Sequence, residues 1–191
     1  MRKSIVWRRL LGVENTVVED VQLDEQRGIL VAHVRPMKGQ QDRCGVCQKR
    51  APKYDAGEGR RQWRALDFGA VRVVLESFAP RVKCRTHGVV VAAVPWARHD
   101  AGHTLLFDSQ VAWLATHTSK SAIVQLMRIA WRTVGSIITR VWDDTIELFD
   151  PFEGLTKLGI DEISYKKGHK YITCVVDHDT GPPARDETQS G

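Results

Sequence analysis

Two short metal-ligand pairs constrain this chain more than any other feature. Cys44 and Cys47 are separated by two residues, Cys84 and His87 by two more, and 36 residues lie between the pairs. A two-residue gap lets one tight turn present two ligands to a single ion. Three thiolates and one imidazole then complete a closed tetrahedral zinc site of the structural kind. Closed coordination leaves no position for a reacting water, so zinc chemistry is not expected. A redox Cys-x2-Cys pair belongs near a βαβ pattern, and none surrounds Cys44. With four cysteines in a chain that lacks a secretory signal, a disulfide framework is disfavoured. Cys174 reads as a small core residue of a strand. His33, His99 and His103 are alternative ligands by type, but none has a knuckle partner. A zinc ion here would replace hydrophobic core that a small module lacks.

Around the knuckles the chain reads as β-rich. Residues 4–11 suit a short amphipathic helix ending at Gly12. Thr16–Leu23 and Gly28–Arg35 suit a hairpin turned at Asp24–Arg27. A Gly/Lys/Arg-rich loop follows the first knuckle through Gly59. Gln62–Leu66 and Ala70–Phe78 form a second strand pair, with Asp67-Phe68-Gly69 as its turn, and this pair is expected to bring the knuckles together. Val89–Val94 is a further strand, stopped by Pro95.

From about His103 the period changes to that of helices. Leu105, Val111, Leu114 and Ala115 mark one apolar stripe. Ser119–Met127 is a second helix with Ser119 or Thr118 as N-cap. A turn at Arg128–Ala130 leads to a third helix, Trp131 to about Leu148, with Val134, Ile137, Ile138, Val141 and Trp142 at helical spacing. After a linker signal at Asp150–Gly154, Leu158–Ser164 and Lys170–Asp177 are β-like runs around a turn at Tyr165–Gly168. The tail 182–191 carries no apolar residue larger than Ala or Pro and reads as disordered.

The charge is unevenly placed. Residues 1–100 hold 19 Lys/Arg against 11 Asp/Glu, whereas residues 101–191 hold 9 against 12. Clustered cations release counterions on meeting phosphates, so the N-terminal half favours nucleic acid, with a solvated surface as the plainer alternative. No apolar run reaches the roughly 20 residues of a membrane span. The chain therefore reads as cytoplasmic, and as nucleoid-associated if it binds DNA.

Ser119–Met127, the short turn and the helix from Trp131 have the proportions of a helix-turn-helix, or of an ordinary helical pair in a bundle. In the first case the second helix enters the major groove. Arg132, Thr133 and Ser136 would then face bases, and Arg140 and Lys120 phosphates. Arg60, Arg61 and Arg64 in the basic half are further candidate DNA contacts. Asp161 stands inside the apolar run Leu158-Gly-Ile-Asp-Glu-Ile. A carboxylate buried there is costly unless paired or metal-bound, which favours a strand-borne catalytic acid. Asp177 and Asp179 read as a strand end and a turn cap.

A set of short segments, taken together, is specific: Arg9-Leu-Leu-Gly12, Cys44-Gly-Val-Cys47, Arg61-Gln-Trp-Arg-Ala-Leu-Asp67, Arg81-Val-Lys-Cys-Arg-Thr-His-Gly88, Val94-Pro-Trp-Ala97, Gly159-Ile-Asp-Glu162, Lys167-Gly-His-Lys-Tyr171 and Val176-Asp-His-Asp-Thr-Gly181. By these, residues 5–181 resemble the N-terminal portion of bacterial insertion-sequence transposases of the ISL3 family. The resemblance implies an α+β multidomain chain. A β-rich zinc-binding domain would cover residues 1–100 and a helix-turn-helix 101–149. The first hairpin of an RNase H-like catalytic domain would cover 150–181. It implies Asp161 as the first acid of an Asp-Asp-Glu triad, ligating one or both of two magnesium ions that drive DNA cleavage and strand transfer. The implied partner is double-stranded DNA at the terminal inverted repeats of the element, with a homodimer as a further candidate and no membrane.

The chain departs from the family's pattern after Gly181. Pro182-Pro-Ala-Arg-Asp-Glu stands where an apolar third strand would follow, and the second Asp and the Glu are missing. Asp186 and Glu187 are adjacent in the polar tail and do not substitute. The expectation is a truncated or frameshifted product that binds DNA without strand transfer, its orphan hairpin marginally stable and exposing Ile160, Ile163, Ile172 and Val175. A zinc-containing transcriptional regulator is the rival reading.

Overall fold

The structure is a computed structural model and describes residues 3–146, 157–166 and 170–177. The expected linker at 150–154, the end of the third helix beyond 146 and the polar tail lie outside the described residues. The chain divides into two compact units, Met1–Val141 and Trp142–Gly191.

The first unit opens with helix α1 (Lys3–Leu10), which packs Trp7 against the core of a four-stranded sheet. That sheet contains β1 (Thr16–Asp24), β2 (Ile29–Pro36), β4 (Arg60–Phe68) and β5 (Val71–Phe78), in the order β1-β2-β5-β4. The two expected hairpins are present as antiparallel pairs. They are joined side by side through β2 and β5, which run parallel from Ile29↔Arg72 to His33↔Glu76. A parallel pair needs a long crossover, and the chain between β2 and β5 supplies it. Alternation places Leu30, Ala32 and Val34 of β2, Trp63 and Ala65 of β4, and Val73 and Leu75 of β5 in one core. Trp96 closes it edge-to-face on Trp63, with ring centroids 5.5 Å apart.

A second sheet, of three strands, carries the knuckles. Its members are β3 (Lys53–Asp55), β6 (Arg81–Cys84) and β7 (Gly88–Val91), in the order β3-β6-β7. Thus the strand pair lying between the knuckles in sequence does not join them in space. It belongs to the larger sheet, and β3 does the joining. The strand expected over Val89–Val94 ends at Val91: Ala92 still donates to the Pro80 carbonyl, next in register, but proline has no N–H to return, and Ala92 bridges to Cys44.

Three helices follow: α2 (Leu105–Ala115), α3 (Lys120–Met127) and α4 (Trp131–Ile146). Thr104 and Ser119 cap α2 and α3, each hydroxyl accepting a backbone N–H at 3.3 Å. The helical core is Phe107, Val111, Leu114, Ile123, Met127, Val134 and Ile137, with Leu66 of β4 packed against it. Two expected stripes shift accordingly. Leu105 is partly exposed while Phe107 is buried, and on α4 Ile138 and Trp142 face outward. Because β4 packs on this core, residue 100, where the sequence suggested a domain boundary, lies inside the first compact unit.

In the second unit, β8 (Leu158–Lys166) and β9 (Lys170–Asp177) form an antiparallel hairpin in which Asp161 pairs with Cys174. Ile160 is exposed. Among the described residues no helix is long and apolar enough to cross a membrane.

Candidate metal centre and nucleic-acid interface

Each knuckle is built by its own turn. In the first, the Cys44 amide donates to the Lys49 carbonyl and the Gln48 amide to the Cys44 carbonyl, folding the chain around the two sulfurs. In the second, β6 ends at Cys84 and β7 begins at Gly88, so His87 sits in the connecting turn with Gly88 at φ +69°. Glycine takes this left-handed conformation without a Cβ penalty. Pairing of β6 with β3, and the Cys44–Ala92 bridge, then bring the turns face to face.

The four ligand atoms lie within 4.8 Å of one another. The Cys47 and Cys84 sulfurs are 3.8 Å apart, and His87 Nδ1 lies 3.6 Å from the sulfurs of Cys44 and Cys84. A tetrahedron with the usual Zn–S and Zn–N lengths has edges of about 3.8 Å between sulfurs and about 3.6 Å between sulfur and nitrogen. The residues therefore fit one zinc ion without rearrangement, and they present the imidazole through Nδ1. Backbone N–H groups of His87 and Thr86 point at Cys84 and, with the His87 ring, hold its thiol down to about 6, favouring the thiolate a metal requires. The apolar surround is small: Ala51 and Val82 with the cysteines, and Val90 and Ala92 at the margin.

Gly45 makes this packing feasible. A Cβ there would stand 2.5 Å from the Val91 carbonyl oxygen and 2.5 Å from His99 Nδ1. Gly45→Ala should therefore lower stability by roughly 1–3 kcal/mol, the usual cost of overpacking. Thermal denaturation of the zinc-loaded protein checks this; an unchanged midpoint would show that the knuckle yields freely. His99 and His103 stay outside the metal cluster. His99 faces Asp100, and His103 stacks on Phe107 with burial lowering its proton affinity.

On the helices, the turn between α3 and α4 is sharp. Arg128 adopts φ +53°, its N–H bonds to the Val124 carbonyl, and α4 starts three residues later. Arg132, Thr133, Ser136 and Arg140 line one cleft of 440 Å³ together with Gly102, His103 and Ala130. Four of the five residues singled out on the helix pair are thus brought together along one face of α4. The fifth, Lys120, lies over the exposed Trp131 ring at 4.5 Å.

Several of the expected DNA-contacting arginines have internal partners. Arg60 bonds to Glu76, beside His33, and covers Phe78. Arg61 donates to the Ala101 carbonyl. Arg64 pairs with Asp67 at 2.5 Å, and Arg140 with Asp108 at 3.3 Å. Two carboxylates overlooked in the sequence thus prove to be junctions. Asp67 bridges Arg64 of β4 and Arg128 of the helical turn. Asp108, fully buried on α2, bridges Arg98 and Arg140. Periodicity finds apolar faces and has no signal for a buried acid. Asp161 is placed on β8 at the backbone level, and its side chain lies outside the description.

Two family models match the chain. The zinc-finger of transposase IS204/IS1001/IS1096/IS1165 matches residues 40–87, and the helix-turn-helix domain of transposase family ISL3 matches residues 92–142. Two curated relatives, each described as the transposase for insertion sequence element IS1557, come from Mycobacterium tuberculosis strains CDC 1551 / Oshkosh and ATCC 25618 / H37Rv. Each is 55% identical over 186 residues, covering 95% of this chain and 42% of the relative's length. No solved structure matches the chain. The first matched segment holds all four ligands of the cluster, the second holds α2, α3 and α4 as far as Trp142, and through both the chain belongs to the ISL3 family of transposases.

Proposed function

We propose that this chain recognises the terminal inverted repeats of an insertion sequence through α4, in a transposase whose further residues cut and rejoin DNA. The observation that carries the reading is the cleft on α4, where Arg132, Thr133, Ser136 and Arg140 converge behind a sharp turn. In a helix-turn-helix the N-terminal part of the second helix meets base edges, which fits Arg132, Thr133 and Ser136. The description of the relatives as insertion-sequence transposases supports DNA ends as the target. In this reading residues 1–100, 101–149 and 150–181 serve as zinc-binding, DNA-reading and catalytic segments.

Zinc is structural here: four protein ligands close the coordination sphere and hold the fold. Asp161 is proposed as the first metal-binding acid of an RNase H-like domain, on the strength of its place within β8. Magnesium would serve that domain, held by Asp161 and further acids. One such acid does not assemble a two-metal site, so cleavage would need further acids beside Asp161. The chain's place of action would be the bacterial cytoplasm, at the nucleoid, as a monomer or a homodimer.

Selection of binding sites from random duplexes tests the proposal. Enrichment of an element's inverted repeat supports it, and enrichment of an unrelated promoter operator would favour a transcriptional regulator. Arg132→Ala should weaken the selected site by roughly 1–3 kcal/mol relative to scrambled DNA if it contacts a base edge. Equal loss on every sequence would make Arg132 a phosphate contact instead.

A further inference from the structure

We infer that the zinc ribbon is itself a phosphate-binding surface, gripping duplex DNA through Lys49, Arg50, Lys53, Lys83 and Arg85. This rests on the DNA-binding reading above and assigns it a second site. The segments that build the ribbon, residues 43–53 and 81–88, contain seven Lys/Arg and no Asp or Glu. Two of the seven are used internally: Arg43 donates to the Gly39 and Gln48 carbonyls, and Arg81 pairs with Asp55. The other five are exposed, and among the described residues their side chains have no hydrogen-bond or ion-pair partner.

The contrast with β4 gives this pattern its meaning. There Arg60, Arg61 and Arg64 each have an internal acceptor. All three arginines of β4 have acidic or carbonyl partners, whereas five of the seven ribbon cations have none among the described residues. Bare like charges held close repel one another, so a ribbon serving only as scaffold gains nothing from them. The metal does not attract phosphate either, since three thiolates outweigh the charge of a divalent ion. The side chains alone supply the field.

Their placement is also suited to a backbone. Lys83 and Arg85 alternate along β6 and its turn with the inward Val82 and Cys84. Residues two apart on a strand project to the same side. Lys49 and Arg50 follow the first knuckle directly, so the four ligands that bring the knuckles together also fix these two groups of cations near each other. The exposed Tyr54, stacked under Arg81, and Val89, paired with Lys83, border the patch. Contacts of this kind position a protein on DNA without reading its sequence.

Salt dependence of binding decides the matter, because the slope of log affinity against log salt counts neutralised phosphates at about 0.9 each. The full chain, loaded with zinc, is titrated onto the selected duplex and onto a random 30-base-pair duplex. Lys49→Gln/Lys83→Gln/Arg85→Gln should reduce the slope by about 2.7 on both duplexes. The charge-preserving set Lys83→Arg/Arg85→Lys should leave it as in the parent. Zinc content and thermal midpoint are measured on every variant, and if the triple variant loses zinc, Arg50→Gln/Lys53→Gln replaces it, with an expected fall of about 1.8. An unchanged slope in zinc-loaded variants overturns the ribbon site while leaving α4 as the DNA reader. Failure of the parent chain to bind either duplex overturns both readings.

Discussion

Cys84→Ser should strip the zinc from the chain and unfold the ribbon. The parent protein, purified fresh and reduced, should contain one zinc per chain. The serine variant should contain far less and lose amide protection across β3, β6 and β7. Magnitudes explain why the effect is large. A structural zinc site of this type contributes apparent binding energies of about 10–16 kcal/mol, comparable with the whole stability of a domain. The apolar alternative is slight, because the interior around the ligands consists of Ala51, Val82 and the cysteines themselves. Removing zinc from the parent with a chelator should give the same loss of protection, and restored metal should reverse it. A parent protein without zinc, or a serine variant that keeps metal and protection, would defeat the assignment.

Asp108→Ala should cost about 3–5 kcal/mol, the range for breaking a buried ion pair, because it removes the fully buried carboxylate that bridges the guanidiniums of Arg98 and Arg140. The lower end applies, since their side chains keep 15% and 26% of their exposure and water can partly replace the acid. For a protein of this size the midpoint should fall by roughly 6–12 °C. Asp108→Asn keeps the shape and one acceptor, so its loss should be smaller. A midpoint within a degree of the parent in the alanine variant would show that the bridge contributes no net stability. The same variant probes function, since Arg140 released from Asp108 becomes available to phosphate. A steeper salt dependence at lower stability would separate its two roles.

The four-ligand cluster was legible in the sequence because ligand spacing is a local property: two-residue gaps specify knuckles wherever the chain later brings them. The helices were legible for a similar reason. The cap Ser119 and the apolar spacing of Val134 and Ile137 act within a few residues. What escaped was non-local. Lys53–Asp55 is a strand only because β6 pairs with it, and nothing in three polar residues announces that partner. The parallel joining of β2 to β5 depends on two hairpins meeting across a long crossover. Asp67, expected in a turn, lies on β4 with arginines from two elements around it. Such a junction exists only after the chain has folded. The arginines of β4 were visible as charge, yet their acceptors were not, so sequence charge alone pointed to β4 more strongly than to the ribbon.

The threading of the ribbon has a consequence for modularity. Residues 40–87 look like a portable cassette in a linear comparison, but β4 and β5, half of the larger sheet, run through its middle. Excising the cassette would leave β1 and β2 without their neighbours and carry away two strands with no sheet to join. Neither part can be transplanted into another protein intact, and insertions or recombination breakpoints between residues 48 and 80 would strike both at once. A metal clasp and the sheet it interrupts must therefore be inherited, and engineered, as one piece.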